Sequence, residues 1–368
     1  MRYFFSTGEA SGEVSATLLA RAIARLDPGA HFEGIGGDRM REEGFKLWNH
    51  TRGWSTMGIF EALMNVPKLW LIMWRNALCL KKNPPDLLVV VDFGAVHMRL
   101  AKTLRRIGYR RPILYFFPPG AWLDKPRQAQ AVAQLSVPLV AFEHQRDFYL
   151  KHGLPVHFFG HPLAPAYTMR PPRPAPPGDG GTIAILPGSR AGEIKRHLPV
   201  LLDAYVQLRA RRPNLEAIVG AADRAAEHMI RAHLERRRLS GVTIVRSAHA
   251  AIEEADAAWV ASGTAVLESA LTGVPSIAFY VLSQAQAKIA RRIYSGPHIT
   301  IPNLVLEKRV IPELLQEEVT ADALSSEMES VLSSPQTQYA ELLALRAALG
   351  PDEVLEQSAT FAVALAHS

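Results

Sequence analysis

The sequence predicts two α/β domains, each a doubly wound parallel sheet, on three observations. The chain has 368 residues, more than the roughly 100–200 of a single ordinary domain. Short apolar runs alternate with helical stretches, and this rhythm runs twice. Between the two passes lies a segment dense in proline and glycine. Hydrophobic residues are 48% of the chain and charged residues 21%, which is globular composition with enough apolar side chain for sizeable cores.

In the first pass the strand candidates are Arg2–Ser6, Leu87–Asp92, Ile113–Phe117, Leu139–Phe142 and Val156–Phe159, short runs of the kind that buried parallel strands use. Thr168 to Gly181 then reads TMRPPRPAPPGDGG. Its prolines remove backbone donors and bar helical geometry to their predecessors, so the segment is expected as an interdomain linker. The second pass gives Thr182–Leu186, Glu216–Val219, Val242–Val245, Ala257–Ala261 and Ser276–Tyr280 as strands. From Gln336 the apolar residues fall at helical spacing, and this tail is expected to pack back on the first domain. The expected division is residues 1–167, a linker at 168–181, 182–335, and terminal helices at 336–368.

Composition also excludes classes. The single Cys79 cannot form an internal disulfide, and no Cys/His cluster has zinc spacing, so neither a disulfide framework nor a metal is implied. A reducing cytoplasm fits, and Met1 to Ala10 lacks the apolar stretch of a signal peptide. The formal charge of +6 and sequence pI near 9.5 favour anionic partners. No nucleic-acid-binding motif accompanies them, so nucleic acid is not expected as a partner. Residues 59–82 combine Trp70, Met73 and Trp74 with Arg75, Lys81 and Lys82. Glu61, Asn65, Pro67, Lys68 and Arg75 interrupt the roughly 18 apolar residues a membrane span needs. Two readings stand: an interfacial helix on an anionic membrane surface, or two helices buried in the domain core.

Three loops carry candidate chemistry, and each follows a strand and opens a helix. Gly8-Glu9-Ala10-Ser11-Gly12 lets backbone approach a ligand, and Glu9 there has no evident structural duty. At Leu186-Pro187-Gly188-Ser189-Arg190, amide N–H groups, the Ser189 hydroxyl and the Arg190 guanidinium are placed to meet a diphosphate; the alternative is an ordinary turn capped by arginine. Ala261-Ser262-Gly263-Thr264-Ala265 sets small residues at a helix N-terminus, with Glu268 about one turn further on for ribose hydroxyls or for the helix surface.

These loops belong to a longer series of blocks. GEASGE at Gly8–Glu13, GIGGDRM at Gly34–Met40, STMGIFEAL at Ser55–Leu63, FGHP at Phe159–Pro162, LPGSRAGEI at Leu186–Ile194, ASGTAVLE at Ala261–Glu268, IPNL at Ile301–Leu304 and PELLQEE at Pro312–Glu318 resemble, in order, those of the lipid-A-disaccharide synthase family. The resemblance implies a GT-B architecture, two Rossmann-like domains facing across a cleft. It also implies metal-independent, inverting transfer of a diacylated glucosamine from UDP to a lipid monosaccharide phosphate, by a peripheral protein of the cytoplasmic side of the inner membrane. No cofactor is implied. On this resemblance Gly188, Ser189, Arg190, Ser262, Gly263, Thr264 and Glu268 hold the UDP, and Asn303, Glu313 and Gln316 line the cleft. Ser11, Glu61, Trp122 and His161 lie on the acceptor side.

The sequence departs from the family on that acceptor side. Where the family reads Asp-x-Pro-Asp-Phe-Asn, this chain reads Asp92-Phe93-Gly94-Ala95-Val96-His97, so Ala95 stands where the family has its second carboxylate and His97 where it has Asn. The family's Pro-Ser-Val-Trp-Ala-Trp-Arg is Pro118-Pro119-Gly120-Ala121-Trp122-Leu123-Asp124. A base is still required near the acceptor hydroxyl, and His97, Asp92 and Glu9 are the candidates. Two alternatives accompany the family's own reaction: a transferase with a changed acceptor, and a nucleotide-sugar-binding relative that has lost turnover.

Overall fold

The computed structural model describes the chain apart from residues 52–58, 119–125, 174–179, 285 and 288–295, and apart from the side chains of residue 10 and residues 59–69. It divides into two compact units: Met1–Ala166 with Leu349–Ser368, and Tyr167–Ala348.

In chain order the first unit contains β1 (Arg2–Ser6), α1 (Ala10–Leu26), β2 (His31–Gly36), α2 (Asp38–Glu42), β3 (Lys46–His50), α3 (Ile59–Lys82), β4 (Leu87–Val91), α4 (Gly94–Arg106), β5 (Ile113–Phe116), α5 (Pro126–Leu135), β6 (Val137–Val140), α6 (Glu143–Lys151) and β7 (His157–Phe158). The strands form one parallel sheet in the order β3-β2-β1-β4-β5-β6-β7. The central strands read as unbroken apolar runs because both sheet faces are covered. Tyr3, Phe5, Leu87, Val89 and Val91 enter one core with Leu19 and Ile23 of α1. Phe4, Leu88 and Val90, pointing the other way, enter a second with Ala77, Leu100 and Leu104.

The second unit contains β8 (Gly180–Leu186), α7 (Ala191–Arg211), β9 (Asn214–Gly220), α8 (Arg224–Arg237), β10 (Val242–Val245), α9 (Ala248–Glu254), β11 (Ala257–Ala261), α10 (Thr264–Thr272), β12 (Ser276–Tyr280), α11 (Ile301–Leu306), β13 (Glu313–Leu315), α12 (Ala321–Ser333) and α13 (Pro335–Ala348). Its parallel sheet runs β10-β9-β8-β11-β12-β13. Trp259 of β11 is fully buried, and its indole N–H donates to the Leu324 carbonyl of α12 at 3.2 Å.

Three elements were not expected. β2 carries Glu33 and two glycines, β3 is half-polar at the sheet edge, and β13 is three residues long; none presents an apolar run. The tail expected as one block, 336–368, divides. Gln338 of α13 donates to the Ser276 carbonyl inside the second unit. The last helix, α14 (Val354–Ala366), instead places Ala359, Ala362 and Ala366 in the first unit's core. Of the expected linker, Arg170 is bound within the second unit, its guanidinium donating to the carbonyls of Ile252 and Ala255; residues 174–179 lie outside the described residues.

Candidate functional site

Each sheet has one point where strand order reverses, and there the loops leaving two neighbouring strands diverge to opposite faces and open a crevice at the strands' C-terminal ends. In the first unit that point lies between β1 and β4, with Ser6 beside Val90. The loop after β1 carries Glu9 and the loop after β4 carries Asp92. In the second unit it lies between β8 and β11, with Leu186 beside Val260. There Gly188–Arg190 and Ser262–Gly263 emerge side by side.

The β4 loop is strained. Asp92 and Phe93 both have left-handed backbone, with φ of 49° and 52°, each at a cost of roughly 1–3 kcal/mol. Three contacts hold this geometry. The Phe93 ring lies against Gly8, where an added Cβ would sit 2.2 Å from a ring carbon. The Asp92 carbonyl accepts two hydrogen bonds, from His97 Nδ1–H at 2.7 Å and from the Tyr115 hydroxyl at 3.0 Å. The Asp92 carboxyl is half-buried. Burial, reinforced by the charge of Glu9, pushes its pKa up to about 6 against a lowering bond from the Phe93 backbone.

His97, one of the candidate bases, is buried with both ring nitrogens engaged. A carbonyl only accepts, so the imidazole proton is on Nδ1, and Nε2 accepts from the Ser6 hydroxyl at 2.9 Å. The ring is 1% exposed, faces Phe93 and Tyr115, and is held neutral by burial, its pKa lowered to about 4. Its bonds to Ser6 and to the Asp92 carbonyl hold it in the core, whereas Ala95, two residues earlier, is exposed. Ser11 is half-buried in the first turn of α1.

His161 is engaged in a similar way. It is buried between the rings of Phe117 and Phe142, and its Nδ1 accepts from the Leu163 N–H. Its backbone N–H donates to the Leu349 carbonyl at 2.7 Å, fastening the returning C-terminal segment. The side chain of Glu61 and all of Trp122 lie outside the described residues. Sequence reasoning passed over Glu13, whose buried carboxylate approaches the α2 N-terminus. Burial raises its pKa, while backbone N–H groups of Met40 and Gly37 oppose the rise.

In the second unit, the amide groups expected to meet a diphosphate are already engaged. Glu193 Oε2 accepts from the backbone N–H of Ser189 and of Arg190, both at 3.2 Å. Its Oε1 accepts from Arg190 Nη1 at 2.9 Å and from the Tyr280 hydroxyl at 2.7 Å. Glu193 is buried; burial alone would raise its pKa, but the bonds from Tyr280 and Arg190 leave it below the ordinary carboxylate value. The carboxylate thus fills the α7 N-terminus, and Gly188 at φ 110° has room only for hydrogen, since a Cβ would meet Glu193 Oε2 at 2.5 Å. What this loop still presents outward is Ser189, which is exposed, and the Arg190 side chain, 36% exposed.

The neighbouring helix is different. α10 begins at exposed Gly263, with no side-chain cap and no acidic residue in its first turn. Nothing lies within 4 Å of where a Gly263 Cβ would be. Ser262, Thr264 and Glu268 are half-buried around it. An uncapped helix N-terminus of this kind favours an anion through its unsatisfied N–H groups and its dipole.

Two of the residues assigned to the cleft, Asn303 and Glu313, are buried. Asn303 is wholly buried; its Oδ1 accepts from the N–H groups of Val310 and Ile311, and its Nδ2 donates to the Ile311 carbonyl. Glu313 is buried, and its Oε1 accepts from the N–H groups of Ile299 and Thr300 and from the Thr300 hydroxyl. Both fasten the turns around α11. Motif spacing cannot separate such fasteners from ligand contacts. Gln316, half-buried with φ 54°, follows β13 beside the loop that leaves β12.

Comparison with known proteins gives the family and the fold. The chain is 32% identical to the lipid-A-disaccharide synthase of Geobacter metallireducens, across 91% of this chain and 88% of that protein. It is 30% identical to the Pseudomonas aeruginosa enzyme of the same name, across 96% and 95%. Among solved structures, the fold matches the UDP-GlcNAc 2-epimerase of Methanocaldococcus jannaschii in complex with UDP-GlcNAc and UDP. That match has a TM-score of 0.64 at 12% identity, covering 99% of this chain and all of that one, and supports the GT-B architecture. The family model described as lipid-A-disaccharide synthetase matches residues 3–359, and the chain therefore belongs to that family of glycosyltransferases.

Proposed function

We propose that the chain transfers a 2,3-diacylglucosamine from its UDP carrier to 2,3-diacylglucosamine 1-phosphate with inversion, forming the lipid A disaccharide. The uncapped α10 N-terminus at Ser262–Thr264 binds the diphosphate, Glu268 accepts from the ribose, and Arg190 neutralises charge that develops as the glycosidic bond breaks. Asp92 takes the proton of the attacking acceptor hydroxyl. The observation that carries this reading is the Asp92 carboxyl itself, half-buried at a strand-order reversal with a pKa near 6. A base titrating close to working pH combines availability with driving force. On this reading Asp92, the motif's first carboxylate, does the work of the second, whose place is taken by Ala95. The test is UDP release from UDP-diacylglucosamine. Release that depends on the lipid monosaccharide phosphate supports the reading, release with another acceptor only overturns the substrate, and binding without release overturns turnover.

The second half of α3 supports peripheral attachment to an anionic membrane. Trp70, Leu71, Trp74 and Leu78 are exposed on one arc of the helix, the two indoles stacked at 6.5 Å. Met73, Ala77 and Leu80 are buried on the opposite side. No helix among the described residues is long and apolar enough to cross a membrane. Replacing Trp70 and Trp74 by Ser is expected to weaken binding to anionic vesicles while leaving thermal unfolding unchanged, and salt should weaken binding of the parent through screening. Loss of cooperative unfolding in the variant would show that the indoles support the core instead.

A further inference from the structure

We propose that His97, together with Tyr115, is a positioning residue for the transfer: it clamps the Asp92 peptide in left-handed geometry and so keeps the carboxylate in its half-buried place near Glu9. This rests on the reading of Asp92 as the base. His97 Nδ1–H and the Tyr115 hydroxyl converge on one acceptor, the Asp92 carbonyl. The imidazole is itself oriented by the Ser6 hydroxyl on Nε2. Ser6 ends β1, His97 sits in the first turns of α4 and Tyr115 lies on β5, so three elements fix one peptide. A non-glycine residue at φ 49° followed by another at 52° relaxes toward ordinary backbone unless its surroundings hold it. Hydrogen bonds into a carbonyl do this only while both donors stay in place.

The groups that face the Asp92 carboxyl are Glu9 from the loop before α1 and the Phe93 N–H from its own loop; Tyr115 and His97 face its carbonyl. Releasing the clamp lets the carboxylate rotate toward water, which favours its charged form. The rate then falls because the base is misplaced, and the acid limb of the pH profile moves down. A purely structural histidine would lower the amount of folded protein without moving that limb.

The experiment compares the parent, His97→Ala, His97→Asn, Tyr115→Phe and Asp92→Asn in full-length protein, reading kcat, KM and the pH dependence of kcat/KM, with folding followed by circular dichroism. In the parent the acid limb is expected near pH 6, the value set at Asp92. His97→Ala should lower kcat by about 10- to 100-fold with KM little changed and move the limb toward the ordinary carboxylate value near 4. Tyr115→Phe should move it in the same direction by less. His97→Asn, whose amide N–H₂ can still donate, should retain most of the rate. If His97→Ala does not fold, Tyr115→Phe decides alone. A limb that stays near pH 6 in folded His97→Ala or Tyr115→Phe overturns the clamp. An Asp92→Asn variant of near-parental rate overturns the base assignment and the clamp's role with it, and is told apart by which variant fails.

Discussion

Arg190→Ala is expected to lower turnover by 10²–10³-fold, about 2.7–4 kcal/mol in barrier, the scale for removing one preorganised donor from developing charge. UDP affinity should fall much less, because the diphosphate gains charge only as the sugar leaves. The structure makes this a clean substitution. Glu193 keeps its bonds from the Ser189 and Arg190 backbone and from Tyr280 when the guanidinium is gone, so the loop is held without it. Glu193→Gln provides the control. It leaves the guanidinium but weakens its anchor, and should cost less than Arg190→Ala. Single-turnover rates and UDP titration separate the two effects. Near-parental turnover of Arg190→Ala, or an equal loss in Kd and rate, would remove the arginine from the transition state.

The architecture was legible because buried parallel strands must be apolar on both faces. Leu87 to Val91 and Ala257 to Ala261 announce themselves in this way. The edge strand β3 does not: it pairs along one side only and tolerates Lys46, Asn49 and His50. The motif loops were also legible, since glycine next to a strand end marks where a helix begins.

Roles within those motifs were not. Asn303 and Glu313 stand in motif blocks as firmly as Arg190 does, yet they satisfy buried backbone groups whose partners lie 7–14 residues away. Glu193, inside another of those blocks, is the anion that its own helix N-terminus binds. His97 suits a base only as a solvated imidazole with its ordinary pKa. Burial removes that premise, and only three-dimensional packing reveals it.

Asp92→Asn is expected to lower turnover by 10²–10⁴-fold, the range for a lost general base, and yet to stabilise the protein at alkaline pH. The carboxyl pKa rises from 3.8 to about 6 on folding, so the folded state holds the proton more tightly than the unfolded chain. The ionised carboxylate therefore destabilises the fold fully above about pH 6, and this cost fades as pH falls toward 4. At 1.36 kcal/mol per pH unit, and discounted because Asp92 is half-buried rather than enclosed, the cost is on the order of 1–3 kcal/mol. Asparagine has the same shape, cannot ionise and tolerates left-handed backbone, so it should recover most of that at pH 8 and little at pH 4. Thermal or denaturant unfolding of parent and variant across this range checks it alongside the activity assay. A variant that is inactive but more stable at pH 8, with the gap closing on acidification, marks a carboxylate kept for chemistry at the expense of the fold. Loss of both activity and stability would instead make Asp92 a structural residue of the β4 loop.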